Sequence, residues 1–373
     1  MQEPSEILAL AYKIAIQDIH KPIIKNETIV SDISFVAKNL SNRAGVRLLM
    51  ACLLAKIHNN KVDPRKPYTE IGTPDSFSGR TYDEQYISQF IVTYDLPCNP
   101  TTAFLTPALR NINGPLTLDR DLVGRPAKLY QSALKLLDMA NNENYKAIDL
   151  LSEVIRHLLL YKNERHDRIK ALLDSLKTND GTTLLSSEDI VLLFQQHLNC
   201  RGASRLPVLM VAAAYKAARD YLKEQCLPLQ SHTAADEQTG AMGDLEISLI
   251  DEEKIVTVFE MKNRRVDRGD VDRALQKLNS LDSRIDNYIF ITTEPIEDRV
   301  QEYAKSIYDR TNGIEFIILD CMSFIKYFLH IFHRIRIQVL NEYQNYVLSE
   351  HDSAVSHELK EAFLALRQVA ESH

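Results

Sequence analysis

No Cys-x-x-C pair occurs in this 373-residue chain, and its five cysteines (Cys52, Cys98, Cys200, Cys226 and Cys321) are scattered and odd in number. That excludes a disulfide framework and a zinc knuckle, and it suits a reducing cytosol. The histidines show no His-Glu-x-x-His or other metal spacing. No Gly-x-x-x-x-Gly-Lys-Ser/Thr loop is present, which argues against ATP-driven translocation. Apolar runs of membrane-spanning length are missing too: the longest candidate, 324–340, is interrupted by Lys326, His330, His333, Arg334 and Arg336. The first residues are acidic and lack the basic start of a signal peptide. A cytoplasmic protein without membrane contact is expected. Positive charge is not in excess either, with 44 Lys and Arg against 51 Asp and Glu and a net charge of −7. A chain coated in nucleic-acid-binding charge is therefore excluded, although a local basic cleft is not.

What is present reads as globular: 45% of residues are apolar and 25% charged, over a length that suits two domains or one with large additions. Apolar periodicity predicts helices over Ile7 to Ile19 and Val46 to Ile57. The second follows Arg43 and Arg47, two arginines four apart, as Arg201 and Arg205 stand before a later apolar helix. Such pairs hold phosphates at a helix start or bridge neighbouring carboxylates. From 59 to 126 proline, glycine, asparagine and threonine dominate, yet Tyr68, Phe77, Tyr82, Tyr86 and Phe90 argue against disorder. Arg80, Arg110, Arg120 and Arg125, with Asn99, Asn111 and Asn113, offer groups suited to bidentate bonding with bases. The alternative is loop chemistry, which favours Asn and Gly regardless of DNA.

Three amphipathic helices are expected between 126 and 176, ending in a basic stretch of Lys162, Arg165, His166, Arg168 and Lys170. The turn at Asn179 marks a domain boundary, and Ser186 with Asp189 forms a capping box for the next helix. Near the end, Cys321 to Val347 reads as one long helix and Leu359 to Ala370 as a last one. The stripe of Phe324, Phe328, Ile331 and Ile335 would pack on the core or on a second subunit.

The stretch that organises the chain is 243–262. Two runs rich in Val, Ile, Leu and Phe flank Asp251, Glu252 and Glu253, the pattern of a β-hairpin. Asp244 opens one strand, and Glu260 and Lys262 close the other, so antiparallel pairing gathers them at one end. Period two puts Glu260 and Lys262 on one face and Met261 on the other. Two carboxylates so placed supply hard oxygen ligands for magnesium, and the ammonium can orient water or stabilise developing charge. The plainer reading is a solvated pair at a strand end. Around the hairpin come a helix (Leu206, Leu209, Met210, Ala213, Ala217, with Ser204 as N-cap), then a helix, a strand (Tyr288 to Thr293), a helix and a strand (Ile314 to Leu319). A mixed sheet with helices on its faces results. Pro74-Asp75 has no Glu-x-Lys strand following at workable spacing, and Asp83-Glu84 falls on a polar helical start, so neither is taken as the catalytic site.

This order, with Gly243-Asp244 and Glu260-Met261-Lys262, resembles the PD-(D/E)XK nuclease superfamily, with Gly243 in the place of the usual proline. More narrowly, Arg201-Gly-Ala-Ser-Arg205-Leu-Pro-Val-Leu209 and Ala212 to Tyr215 resemble the SacI family of type II restriction endonucleases. Gly72-Thr-Pro-Asp-Ser-Phe-Ser-Gly-Arg80 and the stretch Leu96 to Arg110 belong to the same likeness, which spans most of the chain. The resemblance implies an α/β (α+β) fold with a PD-(D/E)XK core over 181–320. It implies a mostly helical region over 1–180 whose loop-rich segment 59–126 recognises DNA, and C-terminal helices over 321–373. Asp244, Glu260 and the Met261 carbonyl would hold magnesium, with manganese able to substitute, and Lys262 would be the catalytic lysine. The helix before the hairpin offers only Asp220 as a further acid, so the number of metal ions stays open. Arg80, Arg110, Asn111, Arg125, Arg205, Arg264 and Arg265 are the expected DNA contacts. The implied partners are double-stranded DNA, a second copy of the chain in a homodimer, and a cognate DNA methyltransferase. A repair or junction nuclease on the same core, or a non-catalytic DNA-binding protein, are the other classes considered.

Overall fold

The structure, a computed structural model, describes residues 2–39, 42–99, 101–178, 185–229, 241–252, 254–279, 285–311 and 313–372. Two compact units divide the chain, Met1–Asp167 and Arg168–His373. The division falls inside one 32-residue helix, Ala147–Thr178. The expected boundary at 179–182 lies outside the described residues.

The first unit is helical. Its centre is the Ala44–His58 helix, whose residues from Ala44 to Ala55 are all buried. A helix apolar on every side belongs inside a core. Helices Pro4–Gln17, Glu27–Ala37 and Ala127–Asn141 surround it. Sequence periodicity suggests three helices between 126 and 176, whereas two form, Ala127–Asn141 and Ala147–Thr178. Neither proline nor glycine occurs within 147–178, so nothing breaks the second one. Segment 59–126 folds into short turns: Thr69–Ile71, Gly79–Tyr82, a π turn Asp83–Ile87, Ser88–Thr93 and Ala103–Leu105. Aromatic contacts fix it, with Tyr12 stacked on Tyr94 at 4.0 Å and Tyr68 edge-on to Phe104 at 5.9 Å.

The second unit is α/β. Its mixed five-stranded sheet runs β1 (Glu224–Cys226), β2 (Leu245–Leu249), β3 (Ile255–Lys262), β4 (Asn287–Thr292) and β5 (Glu315–Asp320) in that spatial order. β1, β2 and β3 pair antiparallel, and β4 and β5 continue parallel to β3. Phe259, Met261, Ile289 and Ile291 bury one face against helices Leu206–Leu222, Cys321–Ile331 and Arg336–Ser349. Val258, Tyr288, Phe290 and Phe316 bury the other against helices Arg268–Asn279 and Asp298–Arg310. The C-terminal helices thus complete the core of this unit, and the last one, His357–Glu371, adds Leu359, Phe363 and Leu364 to it.

Two local expectations shift. Arg205, not Ser204, occupies the N-cap of the Leu206–Leu222 helix, after a tight turn at Ala203–Arg205. The predicted single helix 321–347 is two, because Phe332 leaves helical geometry at φ −98° and ψ 38°. The Arg336 guanidinium locks that break by donating to the carbonyls of Leu185 and His333, each at 2.7 Å. The apolar stripe is accordingly interrupted: Phe328 and Ile335 are buried, while Ile331 is 53% exposed. No helix among the described residues is long and apolar enough to cross a membrane.

Candidate active site

The hairpin forms as expected, the start of one strand beside the end of the other, with Leu245 opposite Phe259 and a register shift between Ile247 and Ser248. Leu245 and Ile247 share the face of Phe259 and Met261. Alternation therefore sends Asp244 and Glu246 to the face of Val258, Glu260 and Lys262, beneath the Arg268–Asn279 helix. The Asp244 N–H donates to the Phe259 carbonyl at 2.9 Å, and Asp244 Oδ2 accepts from the Met261 N–H at 2.7 Å. Both backbone groups of a strand residue leave on the same edge, so the Met261 carbonyl projects on the edge where Asp244 lies. Gly243 explains the departure from the resembled motif. A Cβ there would stand 2.6 Å from the Phe259 carbonyl oxygen and 2.5 Å from Val258 Cγ1, leaving no room for a proline ring.

Glu260 is half-buried. Its Oε1 lies 2.7 Å from Lys262 Nζ, and its Oε2 is 3.4 Å from the Tyr288 hydroxyl. Burial pushes the Glu260 carboxyl above the ordinary glutamate range, and the neighbouring Asp244 charge adds to the rise. Lys262 and Lys277 act in the opposite direction without cancelling it. The Asp244 charge is therefore near enough to act on the Glu260 carboxyl. Lys262 Nζ also stands 4.0 Å from Asp270 Oδ1.

Asp270 went unnoticed in the sequence. Its side chain is fully buried, and Arg264 grips it with a two-pronged bond of 2.8 and 2.6 Å. Arg273 joins at 2.5 Å. Burial would raise this carboxyl, but the bonds from Arg264, the Asp267 N–H and Arg273 outweigh it, and Asp270 titrates below its ordinary range. The legible signal was Asp267-x-x-Asp270: each side chain accepts from the other's backbone N–H, at 3.0 and 2.9 Å, at the start of the helix.

The residues suit a hard divalent cation. Asp244 and Glu260 share one face with mutual repulsion that a cation would relieve, and magnesium needs only one or two carboxylates beside its waters. No group of three or more His, Cys, Asp or Glu that could hold a metal occurs among the described residues. A donor set here would rest on the two carboxylates and the Met261 carbonyl.

The expected DNA contacts separate into classes. Arg205 is 5% exposed and pairs with Glu350 at 3.1 Å, so its guanidinium serves the core and not a phosphate. Arg264 is committed to Asp270. Arg265 is exposed, 3.8 Å from Glu297. In the other unit Arg80 pairs with Glu84 at 2.7 Å on the surface, whereas Arg110, Asn111 and Arg125 are exposed. Arg120 is tied to the Pro115 carbonyl at 2.9 Å. In the basic stretch, Lys162 bonds the Tyr94 carbonyl and Arg168 pairs with Glu361. No protein-family model and no curated protein matches this chain.

Proposed function

We propose that the chain is a sequence-specific, magnesium-dependent endonuclease for double-stranded DNA, of the type II restriction class and built on a PD-(D/E)XK core. The observation that carries this reading is the convergence of Asp244, Glu260 and Lys262 on one sheet face, with the Asp244 charge near enough to raise the Glu260 carboxyl. Magnesium, or manganese in its place, would polarise the scissile phosphate and acidify a water there. Asp244, Glu260 and the Met261 carbonyl would hold it. The Lys262 ammonium, positioned by Glu260 at 2.7 Å, orients the attacking water and offsets the charge that develops on the phosphate. Water adds to phosphorus in line as the bond to the leaving ester oxygen breaks, and that oxygen takes up a proton. One product end keeps the phosphate.

Arg264 and Arg273 neutralise Asp270 and so keep a buried carboxylate beside Lys262 from drawing the ammonium away from Glu260. Exposed Arg110, Asn111 and Arg125 supply groove-reading groups in segment 59–126. The resemblance extends the reading to a homodimer and to a companion methyltransferase. The test is incubation of the purified chain with a genomic DNA and magnesium, followed by electrophoresis. Discrete fragments are expected. An intact ladder with Lys262→Ala and fragments with the parent would assign the cutting to this site; uncut DNA with both would overturn the reading.

A further inference from the structure

The aromatic layer beside the candidate site carries a hydroxyl that packing does not require. Tyr288 lies on β4, opposite Val258 of β3 and Phe316 of β5. Its ring is buried, stacked on Phe316 at 5.4 Å and 5.1 Å from Phe290. Phenylalanine fills both neighbouring places in this cluster, so a third would serve the core as well. A buried hydroxyl is costly unless it meets a partner, and this one leaves the stack toward the segments that carry the two carboxyls.

The hydroxyl joins the lead-in to β2 with the end of β3. It lies 3.3 Å from the Met242 carbonyl oxygen and 3.4 Å from Glu260 Oε2. Both partners accept and a phenol owns one hydrogen, so each bond is longer than the about 2.7–2.8 Å of an undivided one. Met242 is held in turn, its N–H donating to Glu246 Oε1 at 2.5 Å. Two residues on, the Asp244 N–H is fixed to the Phe259 carbonyl at 2.9 Å. Glu260 Oε1 meets Lys262 at 2.7 Å, so the carboxyl is held at both oxygens.

We infer that Tyr288 is a positioning residue for the metal site: its hydroxyl fixes the rotation of the Glu260 carboxyl and ties it to the segment that delivers Asp244. This rests on the metal-holding role proposed above for Asp244 and Glu260. At 2% exposure the ring is out of reach of DNA, so it acts through Glu260. A carboxylate already turned to its task loses less freedom when the ion arrives. Loss of such a supporting partner typically costs about 10–100-fold in metal affinity. Tyr288→Phe keeps the ring and its stack and deletes only the tie.

The experiment is manganese titration of the full chain without DNA, followed by electron paramagnetic resonance, on the parent, Tyr288→Phe, Glu260→Gln and Tyr303→Phe. Tyr303 controls for deleting a tyrosine hydroxyl on this side of the sheet, since its own bond goes to Asp272. The dissociation constant should rise about tenfold in Tyr288→Phe and keep the parent value in Tyr303→Phe. Glu260→Gln should bind too weakly to saturate. In cleavage, Tyr288→Phe should need about tenfold more manganese for its half-maximal rate, with a maximum within about threefold of the parent. With Glu260→Gln unable to hold the ion, parental affinity in Tyr288→Phe, or an equal loss in Tyr303→Phe, overturns the inference and leaves the metal site standing. A cleavage maximum that falls about tenfold at an unchanged manganese requirement overturns it too. Parental binding by Glu260→Gln, or no saturable binding by the parent, overturns the metal site and the inference with it.

Discussion

Two clusters of buried charge, one in each unit, are built on opposite plans. In the first unit Arg47 and Asp83 both have fully buried side chains. The Arg47 guanidinium donates to Asp83 at 2.8 Å, to Ser88 at 2.7 Å and to the Asn99 carbonyl at 2.6 Å. The second Asp83 oxygen accepts from the Thr102 hydroxyl and the Ala103 N–H, both at 2.7 Å. Each nitrogen of the guanidinium and each oxygen of the carboxylate has a partner, and one positive charge meets one negative charge. In the second unit Asp244 and Glu260 repel each other, Lys262 offsets only part of that, and Glu260 is held above its normal titration range. A matched, sealed pair is what a core tolerates. A half-buried pair of carboxylates close enough for one to raise the other is the kind of site where perturbed titration and function tend to coincide.

The sharpest way to break the comparison is through activity. Replacing Lys262 by alanine should lower cutting roughly 10²–10⁴-fold, the usual weight of a positioned proton-transfer or charge-stabilising group. Specific DNA binding should stay nearly intact. Cleavage rates and gel-shift affinities on one duplex would decide, and a variant that cuts like the parent would end the assignment. In the same experiment calcium should support binding without cutting, since the site offers only oxygen donors while the chemistry favours a smaller ion.

Stability should rank the clusters the other way. Asp83→Asn keeps shape but leaves Arg47 buried with its charge uncompensated, and should cost about 3–5 kcal/mol. Lys262→Met, at a half-buried position, should cost about 1 kcal/mol or less. Urea unfolding followed by circular dichroism gives both values; equal losses would mean the hairpin cluster is structural after all.

How far each cluster was legible follows from the same difference. The hairpin and the order of elements around it are written in local alternation and periodicity, which put Glu260 and Lys262 on one face and bring Asp244 to the same end of the sheet; that Asp244 shares their face comes from the register. β1 could not, because Glu224–Cys226 is three residues long with no apolar run of its own. For Arg47 and Arg205 the sequence leaves phosphate holding and carboxylate bridging both open, and the carboxylates they meet, Asp83 and Glu350, lie 36 and 145 residues away in sequence. Local pattern shows that a charge exists; only the fold shows whether it is already matched. Asp270 escaped for the same reason, since a first-turn acid on a polar helix is ordinary until burial makes it otherwise.

Base reading should be a smaller effect, and the structure separates the two arginines the sequence treated alike. Arg80 is held by Glu84, while Arg110 is exposed. Arg110→Ala should cost about 1–3 kcal/mol on the cognate duplex and much less on random DNA, whereas Arg80→Ala should change both little. Paired titrations at one salt concentration would tell, and equal losses on both duplexes would make Arg110 a phosphate contact.

The smallest expected effect is the most direct test of the Asp244–Glu260 repulsion. Glu260 binds its proton more tightly in the folded chain than in the unfolded one. Whatever it contributes to stability is therefore fully present below the ordinary glutamate pKa and is lost as pH rises through its raised value. Burial is the first cause of that loss and would persist in any variant that keeps the hairpin. The Asp244 charge is the second, and Asp244→Asn removes it while leaving an amide oxygen to accept from the Met261 N–H. This variant should abolish cutting yet gain roughly 0.5–1 kcal/mol near pH 7, a stabilisation typical of relieving a functional site. The gain should shrink toward zero as pH falls below the ordinary carboxylate range, where Glu260 is protonated with or without its neighbour. Urea unfolding of parent and variant at several pH values from 4 to 8 would measure the difference. A variant that is less stable at every pH would show that Asp244, like Asp83, is held for the fold.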